Sequence, residues 1–345
     1  MDAPVYVPDY VYKEPPPPGQ TLEVAPGVFW VRMPLPFKLD HINLWLLDDG
    51  DGWTIVDTGI SRDEVKAAWE AVFARHVTKA KPLKRLICTH FHPDHFGLAG
   101  WLTERFDVPL WMPREEWTWG RMLSLDAGEG LRPQFLKFYK DAGFDRAMLE
   151  TAAGRAGRYA KNVAPVPAAF RRIVAGDHIE IGGRRWFVIV GNGHSPEHAC
   201  LYCAEAEVLI SGDQVLPKIS PNVSVWPQEP EADPLGQYLA SIKRLSGLPE
   251  ETLVLPSHMF PFRGLEGRID DLGQHHAARL DETLAAVEKP ATGVEVLRKL
   301  FTRELDTHQL FFAIGESLAH LHRLIAAGLV GRQRGDDGAH VYRRL

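Results

Sequence analysis

Residues 89–97 read THFHPDHFG and place three histidines and one aspartate between His90 and His95. No hydrophobic core needs that density of imidazole, so the stretch points to a metal. It ends the apolar run LKRLICT, and Pro93 followed by Asp94 is the signature of a first helical turn. Extended chain puts His90 and His92 on one side, two residues apart. Asp94 and His95 then turn toward a different side of the same pocket. An H-x-H and a D-H pair can feed two metal ions, and each ion needs about four ligands. The missing ligands must come from elsewhere, so the fold has to gather distant chain segments at one place.

Three later segments supply candidates by a shared grammar, an apolar run ending in a ligand-type residue. FVIVGNGH ends in His194, VLISGD in Asp213 and TLVLPSH in His258, and the earlier run WTIVD ends in Asp57. A lone loop histidine is usually solvated or hydrogen-bonded. Four strand ends bearing such residues beside the 90–95 cluster are a different matter, because layered α/β sheets collect their sites where loops leave the strands.

The rest of the chain supports an α/β class. Short strands are expected at 28–35, 41–49, 52–59 and 83–90, with a helix from about 62 that takes Ser61 as its N-cap. Residues 113–168 read as a helical cap insertion. Strands return around a Gly182-Gly183 hairpin turn and continue through ACLYCA and EVLISGDQV, followed by a helix at 233–248 and a strand at 252–258. The stretch 10–27, rich in proline, reads as an extended surface arm. After residue 262 the pattern turns helical: 268–289, 291–301, then two segments split near Gly315-Glu316, and a terminal hairpin. Helices followed by a helix-turn-helix and a β wing describe a winged-helix module. The domains are therefore expected at 1–262 and 263–345.

With a net charge of −6 over 345 residues there is no global field drawing the chain to nucleic acid or an anionic membrane. The opening MDAPVYVPDY carries neither the basic start nor the apolar run of a secretory leader, so a cytoplasmic location is expected. Cys200 and Cys203 form a C-x-x-C, but on a strand their side chains face opposite sides. They read, with Cys88, as buried strand residues rather than a redox pair or half a zinc site.

Taken in order, IVDTG (55–59), THFHPDH (89–95), GHSPEH (193–198), SGD (211–213) and PSH (256–258) resemble the metallo-β-lactamase superfamily of metal-dependent hydrolases over residues 28–262. The resemblance implies a four-layer αβ/βα sandwich with the site at one edge of two packed sheets. It implies two divalent ions, with zinc the best fit and iron or manganese as alternatives. One ion would be held by His90, His92 and His194, the other by Asp94, His95 and His258. Asp213 would bridge them and Asp57 would orient a ligand from behind. Such a centre lowers the pKa of bound water to about 7, and the resulting hydroxide attacks the substrate while Asp94 relays the proton.

A carboxylate at Asp213 is unlike true β-lactamases and like glyoxalase II-like thioesterases, lactonases and phosphodiesterases. Together with the C-terminal module it resembles the glyoxalase II-like, lactamase-β-like group. The expected activity is hydrolysis of an ester, thioester or lactone in a small, anionic or acyl substrate, with a phosphodiesterase or endoribonuclease as the alternative. Residues 263–345 hold as many acidic as basic residues, so a packing, pocket-lining or dimer-forming role is expected there rather than nucleic-acid binding. Trp117, Trp119, Met122, Phe135, Phe138, Tyr139, Lys218 and Trp226 are expected to line the mouth over the metals, and His320 and His322 to be packed rather than ligating.

Overall fold

The structure is a computed structural model that describes residues 6–126 and 132–345. Residues 1–5, at the opening of the chain, and 127–131 of the expected cap lie outside the described residues.

Two seven-stranded sheets stack face to face. In the first, spatial order follows chain order: Thr21–Ala25, Val28–Pro34, His41–Asp48, Trp53–Val56, Leu83–Ile87, Leu110–Met112 and Arg171–Arg172. In the second the order is Asp9–Tyr10, Phe262–Arg263, Leu253–Pro256, Val208–Gly212, His198–Cys203, Arg184–Gly191 and His178–Ile181. The central strands read as continuous apolar runs because both of their faces are covered. Between the sheets, Trp30, Trp45, Val56 and Ile87 meet Trp186, Val188, Leu201, Ile210 and Leu255. Each such fully buried side chain contributes about 1.5–3 kcal/mol. Helices Asp63–His76 and Ala99–Phe106 cover the outside of the first sheet, where Trp69, Phe73 and Leu102 join Leu44, Leu46 and Leu86. Helix Pro234–Ile242 and the C-terminal region cover the second. The result is the expected four-layer α/β sandwich.

Where strands of a sheet run parallel, their ends lie at one edge. Trp53–Val56 pairs parallel to Leu83–Ile87, and Val208–Gly212 parallel to Leu253–Pro256. Asp57, His90, Asp213 and His258 leave these four strands at their C-terminal ends. This geometry is why apolar runs ending in ligand-type residues meet.

The C-terminal region comprises helices Leu265–Ala286, Gly293–Leu300 and Thr307–Ala326 and a three-stranded sheet, ordered Ala291–Thr292, His340–Arg344, Val330–Arg334. Its apolar core, with Ile314, Leu318, Leu321 and Tyr342, runs on into that of the second sheet's helix layer. The expected boundary after residue 262 falls inside strand Phe262–Arg263.

Several local expectations need correction. Helix Asp63–His76 is preceded by Arg62 with no side-chain cap, so Ser61 does not cap it. Residues 21–25 of the proline-rich arm are an edge strand of the first sheet, and Asp9–Tyr10 adds an edge to the second. Thr307–Ala326 is a single helix without a break at Gly315-Glu316. Gly315 is there for close approach, since a Cβ would stand 2.6 Å from Ser224 Oγ, and its carbonyl accepts from Val225 N at 3.1 Å. All three cysteines are free and buried. No helix among the described residues is long and apolar enough to cross a membrane.

Candidate metal centre

The ligand-type side chains named from the sequence converge in two groups, His90, His92, His194 and Asp213, and Asp94, His95 and His258; within each group the candidate ligand atoms lie within 4.8 Å of one another. In the first group, His90 Nε2 lies 3.0 Å from His92 Nδ1 and 3.2 Å from His194 Nε2. Two nitrogens on a tetrahedral ion at about 2.0–2.1 Å from each are separated by about 3.3 Å. The spacing is that of ligands around one cation.

Asp213 faces both groups. Its Oδ2 is 3.4 Å from His194 Nε2, while Oδ1 is 3.6 Å from His95 Nε2 and 3.5 Å from His258 Nε2. Asp94 Oδ2 completes the second group, 3.8 Å from His95 Nε2 and 3.6 Å from His258 Nε2. His95 Nε2 and Asp213 Oδ1 are buried without a hydrogen-bond partner. A buried donor or acceptor left unpaired costs about 1–3 kcal/mol. The two atoms face each other across a gap too long for a hydrogen bond and suited to a cation, so the donor set fits divalent metal.

The outer nitrogens explain why the inner ones are available. His194 Nδ1 bonds the carbonyl of Asn222 at 2.8 Å, and His258 Nδ1 that of His41 at 2.9 Å. A carbonyl only accepts, so both rings carry Nδ1–H and turn a lone pair on Nε2 inward. Asp57 plays the same part for His95, whose Nδ1 lies 2.8 Å from Asp57 Oδ2. Asp57 also accepts from Thr89 N at 2.7 Å and Thr89 Oγ1 at 2.8 Å. With its proton given to Asp57, Thr89 Oγ1 is left to accept from His90 Nδ1, 3.0 Å away. One aspartate thus sets a histidine in each group. Asp57 holds φ at 63°, which turns the chain sharply out of its strand.

The electrostatics divide the same way. Burial drives His90 and His92 well below the usual histidine range, helped by neighbouring imidazoles, so both are neutral and ready to ligate. Burial also pulls on His95 and His258, but Asp213, with Asp57 beside His95, outweighs it and raises both. Burial would raise Asp213 too, and His258 and His95 hold it well below the carboxylate range instead. The carboxylate field that favours protons on these rings is the field a bound cation neutralises.

Two supporting residues have no place in the sequence reading. His198, fully buried, accepts from the backbone N–H of Asp213 at 3.0 Å. Gly212 is required there: its φ is 54° and a Cβ would stand 2.4 Å from the His198 ring. Glu116, on helix Arg114–Leu125, accepts from Phe91 N at 3.0 Å, Ser195 Oγ at 2.8 Å and Glu197 N at 2.6 Å. It ties the loop of His90 and His92 to the loop of His194. Burial lifts its pKa to about 7 despite these three donors. The second histidine of GHSPEH was a usable signal for His198; an acid in REEWTWG offers none for Glu116.

Of the residues expected at the mouth, Trp119 and Trp226 line the cleft beside His194, together with Phe91 and Ser224. The others are a correction. Trp117 stacks on Phe170 at 4.7 Å and bonds Pro167 O, facing the first sheet's outer layer. Phe135 and Tyr139 pack together, and Tyr139 meets Phe144 and Phe311 in the C-terminal core, because the cap helix Arg132–Asp141 uses its apolar face for that contact. Phe138 also packs against that core, while Met122 and Lys218 are exposed. The C-terminal region makes its own aromatic contacts with this side of the large domain. His308 stacks on Phe37 at 4.9 Å, and Phe312 lies 6.3 Å from Trp226. His320 and His322 are buried in their helix, as expected.

Fold and site together define a four-layer α/β protein with a His/Asp cluster suited to divalent metal at the edge where two sheets meet. The chain belongs to the metallo-beta-lactamase superfamily, whose family model matches residues 38–258. A second model, the metallo-beta-lactamase-like C-terminal domain, matches residues 280–345. Members of the superfamily are hydrolases. The crystal structure of a beta-lactamase domain protein from Burkholderia ambifaria is 47% identical, with a TM-score of 0.90 and 98% of each chain covered. A probable metallo-hydrolase of Bacillus subtilis, YqjP, is 26% identical over 87% of this chain and 92% of its own. A hydroxyacylglutathione hydrolase of Yersinia enterocolitica is 32% identical over 65% of this chain and 64% of its own.

Proposed function

We propose that the protein is a dinuclear metal-dependent hydrolase that cleaves an ester, thioester or lactone carbonyl of a small substrate in the cytoplasm. His90, His92 and His194 would hold one divalent ion and Asp94, His95 and His258 the other, with Asp213 available to both, zinc being the best match to the donors and iron or manganese alternatives. The observation that carries this reading is Asp213, whose two oxygens face different groups at 3.4–3.6 Å. Bound divalent ions supply an activated water at neutral pH and polarise the oxygen of the scissile group.

The chain's own residues do the rest. Asp94, its side chain 21% exposed against 9% for Asp213, is the carboxylate within reach of substrate, and it takes and returns the proton. Asp57 fixes the rings of His95 and His90 without touching substrate. Phe91, Trp119 and Trp226 give the cleft an apolar wall suited to an acyl group. The likeness to a hydroxyacylglutathione hydrolase supports a thioester among the substrates.

We read the C-terminal region as a winged-helix module used as a wall rather than as a nucleic-acid reader. Thr307–Ala326, the helix such a module would lay in a groove, buries Phe311, Ile314, Leu318 and Leu321, and its first turn leans on Phe37.

The test is a substrate panel on metal-loaded protein: S-lactoylglutathione, a simple aryl ester, an acyl lactone, bis(p-nitrophenyl) phosphate and single-stranded RNA, each with and without chelator. Acyl turnover that chelator abolishes is expected. Turnover of the phosphodiester or RNA with none of the acyl compounds would replace this reading with a phosphodiesterase.

A further inference from the structure

A cavity of about 410 Å³ lies between the cap helix Arg132–Asp141, the segment 227–231 and the C-terminal region, and no residue of the metal centre lines it. The segment 226–232 separates the two places: Trp226 and Glu229 face the cleft beside His194, while Pro227, Pro230 and Glu231 face this cavity. On the cavity side His322 Nδ1 bonds the carbonyl of Ala232 at 2.9 Å, which fixes that wall. The volume is within the range of small-molecule sites, about 300–1,000 Å³.

The lining is divided by chemistry. Phe138, Ala142, Leu318 and Tyr342 give it apolar surface, and Ala142, Leu318 and Tyr342 are buried. Lys137, Arg332 and Arg334 supply three cations against two carboxylates, Asp141 and Glu231. Asp141 is shared between Lys137 and Arg334, whose guanidinium stands 3.2 Å from it, while Glu231 takes Arg332 at 2.6 Å. Two cations on one carboxylate leave donor capacity unspent, and a guanidinium has five N–H donors.

We propose that this cavity is a second ligand site, taking a small organic anion with an apolar body. The apolar part lies against Phe138, Leu318 and Tyr342, and the anionic head meets Arg334 and Lys137. The proposal is independent of the reaction assigned to the metals.

Calorimetric titration of metal-loaded protein with octanoate tests it, with octylamine as the cationic control. One octanoate per chain with a Kd below about 1 mM is expected, and no binding of octylamine. Arg334→Gln, a change at an exposed side chain, weakens binding about tenfold by removing a charge-assisted contact. Gln134→Trp, which plugs the exposed rim, abolishes it, while His92→Ala at the metal centre leaves it unchanged. No saturable binding up to about 10 mM, or binding lost in His92→Ala and unchanged in Arg334→Gln, overturns the proposal.

Discussion

Asp57 accepts a hydrogen bond from His95 Nδ1 at 2.8 Å, with both side chains sealed from water. Through the Thr89 hydroxyl the same carboxylate reaches His90, so one residue aligns a histidine in each of the two groups. Such a partner raises ligand basicity as well as fixing the ring.

Asp57→Asn keeps the shape of the side chain and tolerates the positive φ, since asparagine is among the residues that adopt it. Its amide nitrogen would stand where Oδ2 now meets two donors, or the flipped amide would face the Thr89 N–H. Metal affinity is expected to fall about 10–100-fold with the fold intact. Metal content per chain after dialysis against a graded chelator, read beside circular dichroism, checks this. A variant that holds both metals as tightly as the parent removes Asp57 from the role.

Glu116 gives a second prediction of a different kind, since it touches no ligand side chain. In Glu116→Gln one oxygen becomes a donor and confronts either the Phe91 N–H or the donors Ser195 Oγ–H and Glu197 N–H. The loops of His92 and His194 then lose their common anchor. A loss of the metal held by the three histidines before the other is expected, by roughly tenfold in affinity. Spectroscopy of cobalt-substituted protein distinguishes the two sites, and equal loss from both would count against a local role.

These two residues also show where sequence reading ends. The residues of the two groups are legible because they are chemically distinctive and stand at or just beyond the ends of apolar runs, and parallel pairing of those runs puts their ends at one edge. Asp57 follows the same rule. Glu116 does not, because an acid near a helix start reads as a solvated, dipole-matched side chain. Its partners lie 25 and 81 residues away and are mostly backbone N–H groups, which leave no mark on residue type. The unbroken helix Thr307–Ala326 is hidden for a related reason. A glycine reads as a break until Ser224 is seen against it. Which cap aromatics face the cleft depends on how the cap helices rotate against the C-terminal core, and a run such as FLKFYK does not reveal that.

Metal removal should cost stability as well as activity. Ions bound at a thousandfold excess over Kd contribute about 4 kcal/mol each, and without them His95 Nε2 and Asp213 Oδ1 are left buried and unpaired. Treatment with chelator is expected to lower Tm by on the order of 5–10 °C, with recovery on adding zinc. Scanning calorimetry of the metal-free and reloaded protein measures it, and an unchanged Tm would show that the centre binds ions too weakly to matter.

A pair of histidines far from the metals sets an acid limit on stability. His276 and His320 face each other across the contact of helices Leu265–Ala286 and Thr307–Ala326, Nδ1 to Nε2 at 3.4 Å. The ring of Tyr238, His275, Arg279 and Arg268 surround His276, while Glu282 is the nearby acid and the backbone carbonyl of Glu316 bonds His320 Nδ1 at 2.8 Å. Burial pushes His276 down to about 3 and His320 to about 4, with the neighbouring imidazoles and Arg279 pushing the same way. Above pH 6.5 both rings are neutral, folded or unfolded, and nothing is lost. Below it the unfolded chain binds protons that the folded chain refuses, so stability falls with pH until the folded rings titrate near 3–4. Each ring contributes a slope of about 1.4 kcal/mol per pH unit across that window. Urea unfolding between pH 7 and 4.5 should therefore show a shallower decline in the His276→Gln, His320→Gln double variant than in the parent, by up to roughly 2.7 kcal/mol per unit. Any ions bound at the metal centre would be released in acid in both proteins alike, so the comparison isolates the pair. Superimposable pH profiles would mean that the two rings accept protons in the folded state and that their contact does not resist charge.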